Sequence, residues 1–259
     1  MAITAAQVKE LRERTWVWMM ECKNALTMTD WDMEKAMEEL RKKGLSKAAK
    51  KADRETSEWF IKIECEDNKC YVLSLTCETD FLAISEWFQK LLSRLMDMLK
   101  SGKTIEEMEQ TKNESVLELG ENMTIKEAKV IEWNKIESYV HSNGKLAAVI
   151  VSRKSDTDSE KLRQVAMHVT ATNPDFLATS DISVESVEKE KTIQMEIMKN
   201  DPKMVGKPDQ VLENILVWKL NKFKDDISLL EQAFVINPDL KVKNFIWEDT
   251  LEAFYRFSI

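Results

Sequence analysis

Phe60-Ile61-Lys62-Ile63-Glu64-Cys65-Glu66-Asp67-Asn68-Lys69-Cys70-Tyr71-Val72-Leu73-Ser74-Leu75-Thr76-Cys77 decides the fold class. Ile61, Ile63 and Cys65 alternate with Lys62, Glu64 and Glu66, and beyond Asp67-Asn68 the alternation resumes with Tyr71, Leu73, Leu75 and Cys77. A period of two interrupted by a turn pair predicts a β-hairpin. Helical spacing surrounds it. Toward the N-terminus, Val8 with Leu11, then Met19, Met20, Ala25 and Leu26, then Met33, Ala36, Met37 and Leu40 from about Asp32, mark three short helices. Thr4-Ala5-Ala6-Gln7 reads as a capping box for the first, and Gly44 as the C′ residue ending the third. The basic stretch Lys47 to Lys51 follows, and a first boundary is expected at about Ala52, with a bundle that can be removed as a unit.

Toward the C-terminus, Glu86 to Leu99 and Ile105 to Leu119 read as helices, and Val130 begins a second strand region. Tyr139 to Val151 is expected to form a hairpin turned at Asn143-Gly144, the type I′ pair. Ser159 to Thr170 is a helix stopped at Asn173-Pro174. Val184 to Lys199 and Val211 to Leu220 are amphipathic and reverse through two Pro-containing turns, which predicts an antiparallel helical hairpin that projects outward. Ala233 to Ile236 and Ala253 to Phe257 read as strand pieces returning to the core. The fold class is therefore α+β.

At 259 residues, with 43% hydrophobic and 32% charged residues, the chain has the composition of a folded soluble protein. Only five Gly and four Pro suit long helices. A net charge of -8 provides no broad basic surface for a phosphate backbone, which disfavours direct nucleic-acid binding and permits a basic protein partner. Met1 to Arg14 has no signal-peptide core and no apolar run is long enough to span a bilayer, so a cytoplasmic location without membrane contact is expected. Cys22, Cys65, Cys70 and Cys77 are too sparse for a disulfide framework and lack metal-ligand spacing, and buried thiols are expected. With two His and no Gly-rich phosphate loop, neither an enzyme nor a cofactor site finds support; His168 is expected to be a packed residue.

Thr76-Cys77-Glu78-Thr79-Asp80-Phe81-Leu82-Ala83 lies where the second strand ends and a helix begins. Two readings stand there: Asp80 caps the next helix with Phe81 in the core, or a loop presents Phe81 to solvent.

Val8 to Thr15, Met19 to Leu26 and Lys47 to Lys51, then Cys77 to Ala83, Gly120-Glu121-Asn122 with Ile125, Tyr139 to Val151, Met167-His168 with Asn173-Pro174, Gly206-Lys207-Pro208 and Arg256-Phe257 closely resemble the bacterial elongation factor Ts family along essentially the whole chain. The resemblance implies a three-helix ubiquitin-associated-like bundle over residues 1–52, a core N-subdomain over 53–135, a C-subdomain in two parts over 136–182 and 225–259, and a protruding helical hairpin over 183–224. It implies guanine-nucleotide exchange on elongation factor Tu, engaged both with GDP and nucleotide-free, with no covalent chemistry. Asp80, Phe81, Leu82 and Ala83 match the segment that reaches the partner's GTPase domain and displaces its magnesium ion, Phe81 being the wedge. Ile125 matches another contact position and His141 a residue near it, while the bundle, with Met19 and Met20, also touches the GTPase domain. The alternative, from another class, is a ubiquitin-associated-like adaptor whose core only scaffolds association. The hairpin serves a homodimer equally well.

Two departures from the family pattern stand out. The sequence stops at Ile259, just after Arg256-Phe257, so the C-terminal module of many members is expected to be missing with its contact. Trp16, Trp18, Trp31, Trp59, Trp87, Trp133 and Trp218 stand where the pattern has Gly; Trp247 has no such alignment. One residue type replacing one other repeatedly points to UGA codons, read as Gly in some bacterial codes, rendered as Trp; genuine aromatic substitution is the alternative. Strain is expected above all at Trp16 and Trp18, where restoring Gly to both is expected to stabilise the turn.

Overall fold

The hairpin strand that first marks the fold class is enclosed on both faces. In the computed structural model, which describes residues 5–15, 17–204 and 206–259, β1 (Glu58–Glu66) and β2 (Lys69–Cys77) pair antiparallel, and β2 pairs on its other side with β3 (Met123–Glu132). Leu73, Leu75 and Cys77 of β2 face the helices α5 (Glu86–Lys100) and α6 (Ile105–Leu119), meeting Phe88, Leu92, Leu95, Met96 and Met108. Cys70 and Val72 face the other way, toward a second sheet.

That second sheet has the order β4 (Lys135–Val140), β5 (Ala147–Ser152), β8 (Leu251–Phe257), all antiparallel. Its central strand is wholly buried because Ala147, Val149 and Val151 pack against the first sheet, while Ala148 and Ile150 pack against α7 (Ser159–Thr172). The core is thus layered helix, sheet, sheet, helix, and each central strand serves two cores by simple alternation.

The chain after α7 continues through α8 (Val184–Asn200) and α9 (Asp209–Ile227), linked side by side by Lys219 Nζ donating to Gln194 Oε1 at 2.9 Å. It then makes the small ribbon of β6 (Ala233–Phe234) and β7 (Asn237–Lys241), the short helix α10 (Val242–Ile246), and β8. No described helix is long and apolar enough to cross a membrane.

At the N-terminus, α1 (Ala5–Thr15), α2 (Met19–Met28) and α3 (Met33–Lys51) enclose Val8, Leu11, Cys22, Ala25, Leu26, Ala36 and Leu40. Asp32 caps α3 by accepting from Lys35 N at 3.0 Å. Leu117 of α6 completes this cluster, and Ala48 of α3 belongs to the core beneath the first sheet. The bundle therefore shares its apolar surface with the body.

Several expectations are corrected. Gly44 does not end a helix: it lies buried inside α3, where a Cβ would stand 2.9 Å from the carbonyl oxygen of Glu114. Its smallness brings two helices together, which offsets the roughly 1 kcal/mol that Gly costs within a helix. The second strand region begins at Met123, not Val130; β3 is an edge strand with one solvated face, and a register shift at Ser74/Leu75 leaves Lys126 extra, so alternation is lost there. The β4–β5 hairpin forms, but its loop spans residues 141–146, and Gly144 (φ +68°) carries the only positive φ there, which excludes a type I′ turn. Cys65 and Cys70 are joined by a disulfide: the tight turn sets them directly opposite in register, while Cys22 and Cys77 remain free and buried. Thr4 and Trp16 lie outside the described residues, so neither the first capping box nor the Trp16 turn is placed. Trp18, at φ −52°, is exposed in an ordinary extended conformation and carries no left-handed strain; Trp31 (φ +71°) and Trp247 (φ +63°) do.

Candidate functional site

Between β2 and α5 the chain makes one helical turn, α4 (Asp80–Ala83). Thr79 caps it, its hydroxyl accepting from Leu82 N at 3.3 Å, and Ser85 caps α5 by accepting from Phe88 N at 3.2 Å. Asp80 is not the cap. Its Oδ1 accepts from the adjacent Phe81 N at 2.9 Å, within the first turn. In one helical turn residues three apart share a face: Phe81 is 80% exposed and Ile84 77% exposed, whereas Leu82 and Ala83 between them are buried in the first core. The structure thus selects the reading in which the loop presents Phe81.

The loop is tied down from below. Glu121, in the turn between α6 and β3, accepts from Thr79 N at 2.9 Å through Oε2 and from Thr79 Oγ1 at 2.6 Å through Oε1. Next to it, Asn122 donates its backbone N–H to Glu78 Oε1 at 2.6 Å and its side-chain amide to the carbonyls of Ala52 (3.2 Å) and Arg54 (2.7 Å). Cys77 donates its thiol to Thr79 O at 3.2 Å; burial, with the Glu121 charge nearby, pushes that thiol up to about 12, so it stays protonated. Gln89 of α5 donates to Ala83 O at 2.9 Å. Phe81 and Ile84 thus form an apolar tip on a braced base.

The other anticipated contact residues fall elsewhere. Ile125 on β3 is half-buried and pairs in register with Leu75, which pairs with Phe60 on β1. Gly144 of the His141 loop lies against the Phe60 ring, and its carbonyl accepts from Ile61 N at 2.7 Å. Ile125 and the His141 loop therefore lie at opposite edges of the first sheet, Ile125 on β3 and the loop beside β1. His141 is half-buried, its ring edge-on to Tyr139. Met19 and Met20 are exposed on the first turn of α2, beside exposed Trp18. His168 is packed as anticipated, its Nδ1 accepting from Val235 N at 3.2 Å and its Nε2 2.9 Å from Gln232 Oε1; burial holds its pKa below the usual histidine value.

Sequence reading passed over Ile84, Thr79 and Glu121. Ile84 follows Phe81 by three residues, the spacing of one helix face, and Thr79 precedes a one-turn helix as an N-cap does. Glu121 enters the sequence reading only within Gly120-Glu121-Asn122, which carries the family resemblance, and nothing local ties it to Thr79.

Comparison with known families matches residues 78–259 to the family described as Elongation factor TS. That span opens at Glu78, at the root of the Phe81 loop, and takes in Glu121, β3, the whole second sheet and α7 to α10. With most of the chain and the presented loop inside the match, the chain belongs to the elongation factor Ts family, which serves translation elongation in protein biosynthesis.

Proposed function

We propose that this protein binds elongation factor Tu with GDP and promotes GDP release, without covalent chemistry, by displacing the partner's magnesium ion and distorting its phosphate-binding region. The observation that carries the reading is Phe81, an aromatic side chain 80% exposed at the tip of a braced single turn. A side chain of that size left in water on a fixed base is better explained by a partner's pocket than by its own fold.

The physics requires no reacting group. GDP is held by magnesium and by backbone donors of a phosphate loop. A protein that binds the distorted, ion-free loop more tightly than the loaded one weakens nucleotide binding by the same coupling free energy. Burying one Phe contributes roughly 1.5 to 3 kcal/mol, too little to empty a tight site, so other surfaces must share the work. Asp80, Phe81, Leu82 and Ala83 are assigned to the wedge, Leu82 and Ala83 as its buried anchors, with Ile125, His141, Met19 and Met20 as further contact positions. The bundle acts as a ubiquitin-associated-like module over 1–52, the core divides at 53–135, 136–182 and 225–259, and α8 with α9 forms a protruding antiparallel hairpin over 183–224, a surface also suited to a homodimer. The setting is cytoplasmic.

Release of labelled GDP from elongation factor Tu, with and without this protein, tests the reading. Acceleration is expected; tight binding with unchanged release would favour the adaptor instead.

A further inference from the structure

The one-turn helix that carries Phe81 is too short to hold itself together, since four residues close hardly any internal hydrogen bonds. Its order comes from elsewhere in the chain. A single carboxylate, Glu121, takes both the N–H and the hydroxyl of Thr79, at 2.9 and 2.6 Å, and that same hydroxyl accepts from Leu82 N at 3.3 Å. The chain of bonds runs from Glu121 through Thr79 to the helix whose outer face is Phe81. Glu121 is itself fixed by its neighbour Asn122, which is buried and bonded to Glu78, Ala52 and Arg54.

We propose that Glu121 is a positioning residue for nucleotide exchange, acting through Thr79 to hold Phe81 in the orientation that engages the partner; this rests on the exchange reading above. Hydrogen bonds to an ionised carboxylate are the stronger kind, and two of them on one residue fix both its backbone and its side chain. Without them the turn samples other conformations, and the fraction of bound complexes with the wedge engaged falls in proportion. Association itself, spread over other surfaces, changes less.

The test is GDP release measured over a range of concentrations of the full chain. Glu121→Ala is expected to lower the maximal release rate about tenfold, the order set by losing a charge-assisted bond, while the half-saturating concentration moves by less than about threefold. Thr79→Val, which keeps the side chain's shape, should reproduce the loss, and Thr79→Ser should restore the rate. In a Phe81→Ala background, Glu121→Ala should slow release no further, because the residue it positions is gone. A Glu121→Ala protein within about twofold of the unaltered chain, or one that slows the Phe81→Ala variant by another tenfold, would overturn the proposal. Should Glu121→Ala not fold, the Thr79→Val and Thr79→Ser pair decides: equal rates for the two overturn it. If the unaltered chain leaves GDP release unchanged, the exchange reading fails and the proposal with it.

Discussion

Gly44 of α3 and Glu114 of α6 meet backbone to backbone: a β-carbon on Gly44 would stand 2.9 Å from the Glu114 carbonyl oxygen and 3.2 Å from its Cα. Two residues flank the contact in the same sense, Arg41 pairing with the Glu114 carboxylate at 2.5 Å and Lys51 donating to the carbonyl of Gly120. The obstacle is main chain, which has no rotamer to move aside, so Gly44→Ala forces the helices apart. A loss of about 1 to 3 kcal/mol is expected despite alanine's better helix propensity. Urea unfolding would show it as a lower midpoint at unchanged slope, and a stabilised variant would contradict the close approach.

The same contact governs truncation. A chain beginning at Asp53 loses Ala48 from the core beneath the first sheet and leaves Leu117 of α6 exposed. Such a fragment is expected to melt well below the full chain or to aggregate, and calorimetry with light scattering measures both. Unchanged melting would make the bundle an independent unit.

Phe81 and Leu82 are neighbours with opposite burdens. Phe81→Ala is expected to slow GDP release markedly at an unchanged melting temperature, since the ring is 80% exposed. Leu82→Ala empties a place in the core and should cost about 2 to 4 kcal/mol of stability. Melting curves beside the exchange assay separate the two, and a Phe81→Ala protein with full activity removes the wedge.

Trp247 joins α10 to β8 at φ +63° and ψ 132°, with its side chain 71% exposed. An L-residue in left-handed conformation costs about 1 to 3 kcal/mol, and here little burial offsets it. Trp247→Gly is therefore expected to raise stability by about 1 kcal/mol, whereas Trp18→Gly, at an ordinary φ, brings no such gain. Trp31 also has positive φ but packs against the bundle core, so its two effects oppose. The gene itself is the companion measurement: UGA codons are expected at most of Trp16, Trp18, Trp31, Trp59, Trp87, Trp133 and Trp218, and UGG codons there would end the recoding idea.

Glu118 lines a cavity of about 540 Å³ between the bundle and α5, among Val17, Leu40, Arg41, Leu91 and Arg94. Burial raises its carboxyl to about 7, against the smaller opposing pull of Arg12 and Lys90. Its folded-state pKa thus lies above the unfolded one. The folded protein holds the extra proton, and the contribution to stability is complete below the ordinary carboxyl range and lost as pH rises through 7. Glu118→Gln, which keeps the neutral shape, should match the unaltered protein at pH 5 and melt higher at pH 8. Equal melting temperatures at pH 8 would place Glu118 in effective contact with water.

Local chemistry carried much of the fold. Alternation at Ile61–Cys65 and Tyr71–Cys77, Ser85 and Thr104 ahead of helices, Gly120 and Asn173 behind them, and the 3.6-residue spacing of Leu92, Leu95, Met96 and Leu99 each act through neighbours a few residues away, so they can be read in order along the chain. Where alternation is broken by the extra Lys126 on a solvated edge strand, the signal disappeared and the start of β3 was misplaced.

By itself the sequence determined the α+β class, the order of the longer elements and the stretch on which Phe81 sits, because periodicity, capping and turn chemistry are short-range. Tertiary structure alone decided that Gly44 is a contact and not a stop, that Cys65 and Cys70 close on each other, and that the carboxylate of Glu121 reaches the N–H and hydroxyl of Thr79, 42 residues away. It also decided that Phe81 faces water while Leu82 faces the core. The reason is physical: burial and hydrogen-bond partnership across tens of residues depend on which surfaces meet once the layers stack, and residue spacing along the chain does not encode the position of the opposing layer.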